Sequence, residues 1–185
     1  MISKALEAFA EGDFAGSAEF ARGAKALAPR STRTMELLGL AYYHQGRWKE
    51  ALRELLTYRR LTSALDQNHV IADCYRAQGR PDRAIEICAE VSPEGTSPET
   101  WAETAIVAAG ALADKGDVRG ALAMLNRADL GGDSVETYHL RLWYVMADLL
   151  ERSGRQNEAS ELWRRIVAED PYFFDAEERL KRSGV

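Results

Sequence analysis

Three side chains that could do chemistry fall on one face of a predicted helix. His69, Asp73 and Arg76 are spaced four and three residues apart, which places them on the same side of that helix. This pattern suits a polar recognition stripe or half of a metal site, and it is equally typical of a solvated ladder of ion pairs. His44 lies roughly 12 Å away along a parallel neighbouring helix, an offset that argues against a metal ion shared with His69.

The two cysteines, Cys74 and Cys88, are either a redox pair or small buried side chains. Two cysteines are too few for a disulfide framework. Cys88 lies in an apolar stripe, where a free cysteine packs well, and neither thiol has neighbours that would lower its pKa. The sequence therefore favours a structural role for both, with the redox pair as the alternative.

No common catalytic motif occurs in the chain. The phosphate-binding GxxxxGK[ST] loop, the dinucleotide-binding GxGxxG loop, the zinc-binding HExxH motif and the GxSxG nucleophile motif are all missing from the sequence. We therefore expect a protein that is not an enzyme and that has no cofactor and no metal site.

The composition indicates a folded protein with a sizeable core. The 185 residues are 46% hydrophobic and 29% charged, which is too apolar for intrinsic disorder. The formal net charge of −5 predicts no DNA partner, because DNA-binding proteins usually carry a basic face. The chain has no run of about 18 apolar residues that could span a membrane. Acidic residues interrupt the N-terminal stretch where a signal peptide needs an apolar core, so we expect a cytoplasmic protein.

A short segment recurs five times along the chain, with its first glycines 33 to 38 residues apart. Each glycine stands between two stretches of helical period, where a left-handed turn is needed. A small residue follows five positions later and lets two helices approach closely. Each segment therefore predicts a hairpin made of a leading helix and a second helix. The glycines are Gly12, Gly46, Gly79, Gly116 and Gly154, and the small residues are Ser17, Ala51, Ala84, Ala121 and Ala159.

The segment LLGLAYYHQGRWKEAL resembles the tetratricopeptide repeat (TPR) family through Leu38, Gly39, Tyr42, Gly46 and Ala51. The likeness extends over nearly the whole chain, and its divergence is of the kind seen in bacterial TPR proteins. It implies an all-α fold, a right-handed superhelical array of about five antiparallel helix hairpins that forms a TPR-like α-solenoid. We expect one domain, 1–185, with repeat units at about 1–30, 31–63, 64–92, 97–131 and 134–171 and a C-terminal capping helix at 172–182.

The sequence also indicates where some helices begin and where they are connected. Ser63 and Ser97 are typical of residues that begin a helix. The pair Gly131 and Gly132 indicates one of the longest connections between repeats. Trp101 precedes an alanine-rich helix, and we expect it either to fill the thin fourth repeat or to remain partly exposed.

In each leading helix, one face packs and the residues about half a turn away remain open. The resemblance implies that this open side lines a concave groove, the surface on which the family usually binds peptides. The predicted groove residues are Arg33, Glu36, Leu40, Tyr43, His44, His69, Asp73, Arg76, Ile106, Arg141, Tyr144, Asp148 and Glu151.

We expect a non-catalytic scaffold that binds a partner protein or an extended peptide, because the groove mixes tyrosines with charges of both signs. Some TPR domains clamp a C-terminal carboxylate with paired lysines and asparagines. Leu40 and Asp73 stand at the asparagine positions here, which argues against that clamp.

Several alternatives stay open at this stage. One is a self-associating protein, a homodimer formed through an N-terminal apolar edge. Others are a small-molecule sensor or enzyme built around His69, and an RNA-binding protein. The pairs Arg59–Arg60 and Arg164–Arg165 are either solvated charges or a weak anion-binding edge. The residues of the N-terminal edge are Ile2, Leu6, Phe9 and Phe14.

Overall fold

A computed structural model describes residues 1–128 and 134–183. Within these ranges the chain forms eleven α-helices, one short 3-10 helix and no strand, so the predicted all-α fold is confirmed. The chain divides into two compact units, Met1–Val91 and Ser92–Val185. No helix in the described ranges has both the length and the apolar character needed to cross a membrane.

The first unit consists of three helix hairpins. The leading helices are α1, α3 and α5, and α3 contacts both of the others. Each second helix packs against its own leading helix, and α2 and α4 also contact the leading helix that follows. The helices are α1 (Ile2–Ala10), α2 (Phe14–Leu27), α3 (Thr32–His44), α4 (Trp48–Thr62), α5 (Asn68–Ala77) and α6 (Pro81–Cys88).

The second unit contains two further hairpins and a final short helix. The leading helices α7 and α9 contact each other, and α11 packs on α10. Gly131 and Gly132, predicted as a long connection, lie outside the described residues. The elements are a 3-10 helix (Pro93–Gly95), α7 (Pro98–Asp114), α8 (Val118–Ala128), α9 (Thr137–Arg152), α10 (Gln156–Glu169) and α11 (Ala176–Arg182).

The five turn glycines all adopt the left-handed conformation, with φ between 69° and 84°. Each one separates the two helices of a hairpin, which confirms the predicted turns. The small residue five positions later is fully buried in every hairpin. In the first hairpin this residue is Ser17, and its hydroxyl donates to the carbonyl of Ala5 on the leading helix at 2.8 Å.

Gly39 allows α3 and α4 to approach each other closely. A Cβ atom at this position would lie 2.6 Å from Cγ of Leu55 on α4, well inside van der Waals contact. The helices α3 and α4 can therefore pack at this distance only because residue 39 has no side chain.

Apolar side chains from the paired helices form the core of both units. Trp143 and Trp163 are almost completely buried, and Trp101, which lies within the alanine-rich α7, is 5% exposed. Ser97 caps α7 by accepting from the backbone amide of Thr100, as predicted. Ser63 does not begin a helix: it ends α4 in a left-handed conformation with φ of 57°.

Candidate binding surface

Three of the predicted residues meet across neighbouring leading helices of the first unit. Tyr43, near the end of α3, donates its hydroxyl to Oδ2 of Asp73 on α5 at 2.8 Å. Oδ1 of Asp73 accepts from Nη1 of Arg76 at 3.1 Å. All three side chains keep part of their surface exposed. An aromatic ring, a carboxylate and a guanidinium are thus joined into one group, the Tyr43–Asp73–Arg76 group.

A second link joins α3 to the start of α5. Nε2 of Gln67, the residue that precedes α5, donates to Oε1 of Glu36 at 2.9 Å. Burial raises the pKa of the Glu36 carboxyl, and the hydrogen bond from Gln67 opposes that rise. The predicted residue Glu36 is therefore tied to the neighbouring hairpin, by a partner that the sequence did not single out.

His44 packs against the first hairpin. Its ring stacks on Phe14 with the centroids 4.2 Å apart and the planes 9° from parallel. Phe9 contacts the same ring edge-on at 5.5 Å. Partial burial lowers the pKa of His44. Two aromatic residues of the predicted N-terminal edge, Phe9 and Phe14, are therefore half-buried against the histidine.

The other predicted residues of the first unit flank the Tyr43–Asp73–Arg76 group. Arg33 is exposed in the first turn of α3, and Leu40 is half-buried one turn before Tyr43. His69 is half-buried on α5, one turn before Asp73. The surface of α3 and α5 therefore carries both charge signs, a tyrosine and a leucine.

The predicted residues Ile106 and Arg141 lie on the two leading helices of the second unit. Ile106 is half-buried on α7. Nη2 of Arg141 on α9 donates to Oε2 of Glu103 on α7 at 2.8 Å. Burial raises the pKa of Glu103, and the positive charge of Arg141 opposes that rise.

The remaining predicted residues, Tyr144, Asp148 and Glu151, contact the C-terminal helix. The Tyr144 hydroxyl donates to Oδ1 of Asp175 at 2.5 Å. Arg179 of α11 reaches Asp148 through Nη2 at 3.1 Å and Glu151 through Nη1 at 2.5 Å. The side chain of Arg179 is only 23% exposed. The protein's own α11 therefore covers this part of the predicted surface.

The placement of α11 follows the period of the repeat. Its first residue, Ala176, stands 22 residues after Gly154, as the first residue of α5, Asn68, stands 22 residues after Gly46. Ala176 and Asn68 are both fully buried. By register, α11 therefore corresponds to a leading helix.

The arrangement offers little support for catalysis. Burial raises the pKa of Cys74 and of Cys88 to about 12, so both thiols stay protonated and unreactive at neutral pH. No three His, Cys, Asp or Glu side chains among residues 1–128 and 134–183 are grouped so that they could hold a metal ion.

Helix hairpins that turn through left-handed glycines and pack through small residues define the class of helical-hairpin repeat proteins. Residues 2–66 match the sequence model of the tetratricopeptide repeat. Residues 2–66 therefore carry the tetratricopeptide repeat, and the rest of the described chain shares the fold of tetratricopeptide-repeat proteins. The resemblance inferred from the sequence is thus confirmed. No curated protein sequence matches the chain significantly.

Solved structures of other TPR proteins share the fold. A thermophilic TPR protein of Thermus thermophilus is 18% identical, with a TM-score of 0.77 over 98% of this chain and 96% of that one. Pseudomonas aeruginosa pilF is 14% identical, with a TM-score of 0.72 over 99% and 86% of the two chains. YrrB, described as a TPR protein with an unusual peptide-binding site, is 15% identical, with a TM-score of 0.62 over 97% and 90%. At these identities the likeness concerns the fold alone.

Proposed function

We propose that the protein is a non-catalytic scaffold that binds a partner protein or an extended peptide along the leading helices α3 and α5. The Tyr43–Asp73–Arg76 group is the observation that carries this proposal. Its hydrogen bonds fix a tyrosine and an arginine, residue types that often dominate binding energy, on a partly exposed surface. A surface that is ordered before binding loses less conformational entropy on association.

The family supports the same role. TPR proteins are generally protein–protein interaction scaffolds without catalytic activity. YrrB, which has the same fold, is described as having a peptide-binding site. Neither point identifies the partner of this chain.

The side chains of this surface define the chemistry of the partner. Arg33 and Arg76 favour an acidic group, Asp73 favours a basic group, and Leu40 offers an apolar contact. We therefore propose a peptide or loop that carries both charge signs and an apolar anchor. Its binding is centred on the first unit, because α11 already covers Tyr144, Asp148 and Glu151 in the second unit.

Affinity capture from native lysate tests the proposal. The double variant Tyr43→Ala/Arg76→Ala should lose partners that the wild type retains. The matched control is Tyr172→Ala/Arg182→Ala, which removes the same residue types from exposed positions after α10 and should retain those partners. Circular dichroism and thermal unfolding establish that both variants are folded. If the two double variants lose the same partners, or neither loses any, the binding surface is not on α3 and α5.

Self-association is the second candidate function. Exposed apolar side chains support it near the N-terminus, where Phe20 is 39% and Leu27 is 76% exposed. Against it, Phe9 and Phe14 are occupied by their contacts with His44. Light scattering over a range of protein concentrations distinguishes a homodimer from a monomeric scaffold.

The cytoplasmic location stays a prediction.

A further inference from the structure

A cavity on the second helices of the first unit has three arginines in its lining. Its volume is about 480 Å³, and it is formed by α4, the loop that follows α4, and α6. This cavity is separate from the proposed partner surface, which lies on the leading helices α3 and α5. The residues that line it are Leu56, Arg59, Arg60, Ser63, Leu65, Arg83 and Ile87.

The positive charge of the cavity is only partly balanced. Arg59 pairs with Glu90, and Arg83 pairs with Glu86 at 2.5 Å. Neither glutamate lines the cavity. Arg60 is exposed and has no acidic partner among residues 1–128 and 134–183. The lining thus contains three arginines and no carboxylate. An anionic ligand would supply Arg60 with the acidic partner that it lacks among the described residues.

The electrostatics of the helices do not account for all three arginines. Arg59 and Arg60 lie in the last turn of α4, where a cation interacts favourably with the carbonyl end of the helix. Arg83 lies in the first turn of α6, where the exposed amides disfavour a cation. The helix dipole therefore does not explain Arg83, which instead pairs with Glu86 one turn later on the same helix.

Apolar side chains complete the cavity. Leu56 and Leu65 are half-buried, and Ile87 is 1% exposed. Inorganic phosphate would engage the arginines but leave these three side chains unused. A peptide in which carboxylates flank an aliphatic side chain would engage both, because guanidinium groups bind carboxylates through paired hydrogen bonds.

We propose that this cavity is a second binding site, specific for an acidic peptide segment that carries an aliphatic anchor. The carboxylates of the segment pair with Arg60 and with Arg83, which shares its guanidinium with Glu86, and the anchor contacts Leu56 and Leu65. The net charge of the chain is −5, so the protein as a whole repels an acidic peptide. Saturable binding of such a peptide therefore requires a local basic site.

Fluorescence anisotropy with a fluorescein-labelled peptide, Glu-Asp-Leu-Glu-Asp-Leu-Glu, tests the proposal on the full chain. The double variant Arg60→Gln/Arg83→Gln should bind about tenfold more weakly or worse, since each charge-assisted contact contributes one decade or more. The matched control is Arg119→Gln/Arg127→Gln, which removes two exposed arginines from α8, a second helix of the other unit, and should leave the affinity unchanged. Raising NaCl from about 50 mM to about 500 mM should weaken wild-type binding.

Further measurements distinguish a site for an acidic peptide with an aliphatic anchor from other kinds of site. A peptide with Ser in place of both Leu residues should bind more weakly; equal binding overturns the aliphatic anchor. If millimolar inorganic phosphate competes as well as unlabelled peptide does, the site is not specific for a peptide. Absence of saturable binding, or equal losses in the two double variants, overturns the site itself. The variant Tyr43→Ala/Arg76→Ala should bind the peptide as tightly as the wild type does. The test of this cavity is therefore independent of the function proposed for α3 and α5.

Discussion

Tyr144 and Asp175 are 31 residues apart in the chain, and the Tyr144 hydroxyl donates to Oδ1 of Asp175 at 2.5 Å. Glu36 and Gln67 of the first unit are also 31 residues apart, and their side chains are likewise joined by a hydrogen bond. In both pairs one residue lies in a leading helix. The other residue immediately precedes the helix that occupies the next leading position, which is α5 for Gln67 and α11 for Asp175. The short α11 is therefore held to α9 by the kind of link that joins α3 to α5.

Arg179 is the main anchor of α11, and its removal should loosen this helix. Arg179→Ala leaves Glu151 without its cation and leaves Asp148 with only the exposed Arg152. We expect the free energy of unfolding to fall by about 1–3 kcal/mol and amide exchange across 176–182 to accelerate. Urea unfolding and hydrogen exchange measure the two effects.

The matched control for Arg179 is Arg182→Ala on the same helix. Arg182 and its partner Glu178 are both about 70% exposed, so this pair should contribute less than about 1 kcal/mol. Equal effects of the two variants would show that Arg179 does not anchor α11.

The periodic part of the fold could be predicted from the sequence. The five glycines and the small residues that follow them recur at similar intervals, and each satisfies a local requirement of the backbone or of helix packing. The half-buried position of Arg179 follows from the same register, continued beyond the fifth hairpin. Arg179 stands 25 residues after Gly154, as the fully buried Ile71 stands 25 residues after Gly46.

Contacts between side chains on separate helices were less accessible to prediction. His44 stacks on Phe14 only because the turn that begins α2 comes to lie beside the end of α3. No local pattern in the sequence encodes this approach. The same holds for Gln67, whose partner Glu36 depends on how two consecutive hairpins pack.

The buried carboxylate of Glu54 makes Lys25 important for stability. Glu54 is 1% exposed on α4, and Lys25 of α2 forms an ion pair with it. Lys25→Met keeps the aliphatic part of the side chain but leaves Glu54 with only Arg53, at 3.2 Å. We expect the free energy of unfolding to fall by about 2–4 kcal/mol, because a buried charge has lost its main partner. Urea unfolding measures this loss.

A double variant separates the charge effect from a packing effect. Lys25→Met/Glu54→Gln removes the buried charge together with its partner and should recover part of the loss. Lys49→Met, at an exposed position on α4, should have little effect. A double variant less stable than Lys25→Met would contradict this interpretation.

Gly39 should tolerate no side chain. Gly39→Ala places a Cβ atom 2.6 Å from Cγ of Leu55, so α3 and α4 must move apart. We expect a loss of about 1–3 kcal/mol in the free energy of unfolding, as for other overpacked cores. Thermal and urea unfolding measure it.

Gly23 provides the comparison for Gly39, since it also lies inside a helix. A Cβ atom there meets only Met1, with Sδ at 3.2 Å and Cε at 4.0 Å, and these atoms form the end of a flexible and exposed side chain. Gly23→Ala should therefore leave stability unchanged or raise it by up to about 1 kcal/mol through helix propensity. A similar loss in both variants would refute a steric origin at Gly39.

Tyr58 should make the protein less stable at alkaline pH. Burial, with the hydrogen bond to Asp66 as the next cause, raises the pKa of Tyr58 to about 12. In the unfolded chain a tyrosine ionises near pH 10, so above that pH the unfolded state releases its proton first. The stabilising contribution of Tyr58 is thus fully present below pH about 10 and is lost as the pH rises toward about 12. By pH 11 this loss amounts to about 1 kcal/mol in the free energy of unfolding.

The variant Tyr58→Phe tests this pH dependence, because the loss is absent in it. The variant also lacks the hydrogen bond to Asp66 and should therefore be less stable than wild type by about 1 kcal/mol at pH 8. Urea unfolding between pH 8 and about 11 should therefore show the gap between the two proteins closing, whereas Tyr172→Phe, at a 92% exposed position, should follow the wild type throughout. A gap that stays constant over this range would mean that Tyr58 titrates as an ordinary tyrosine.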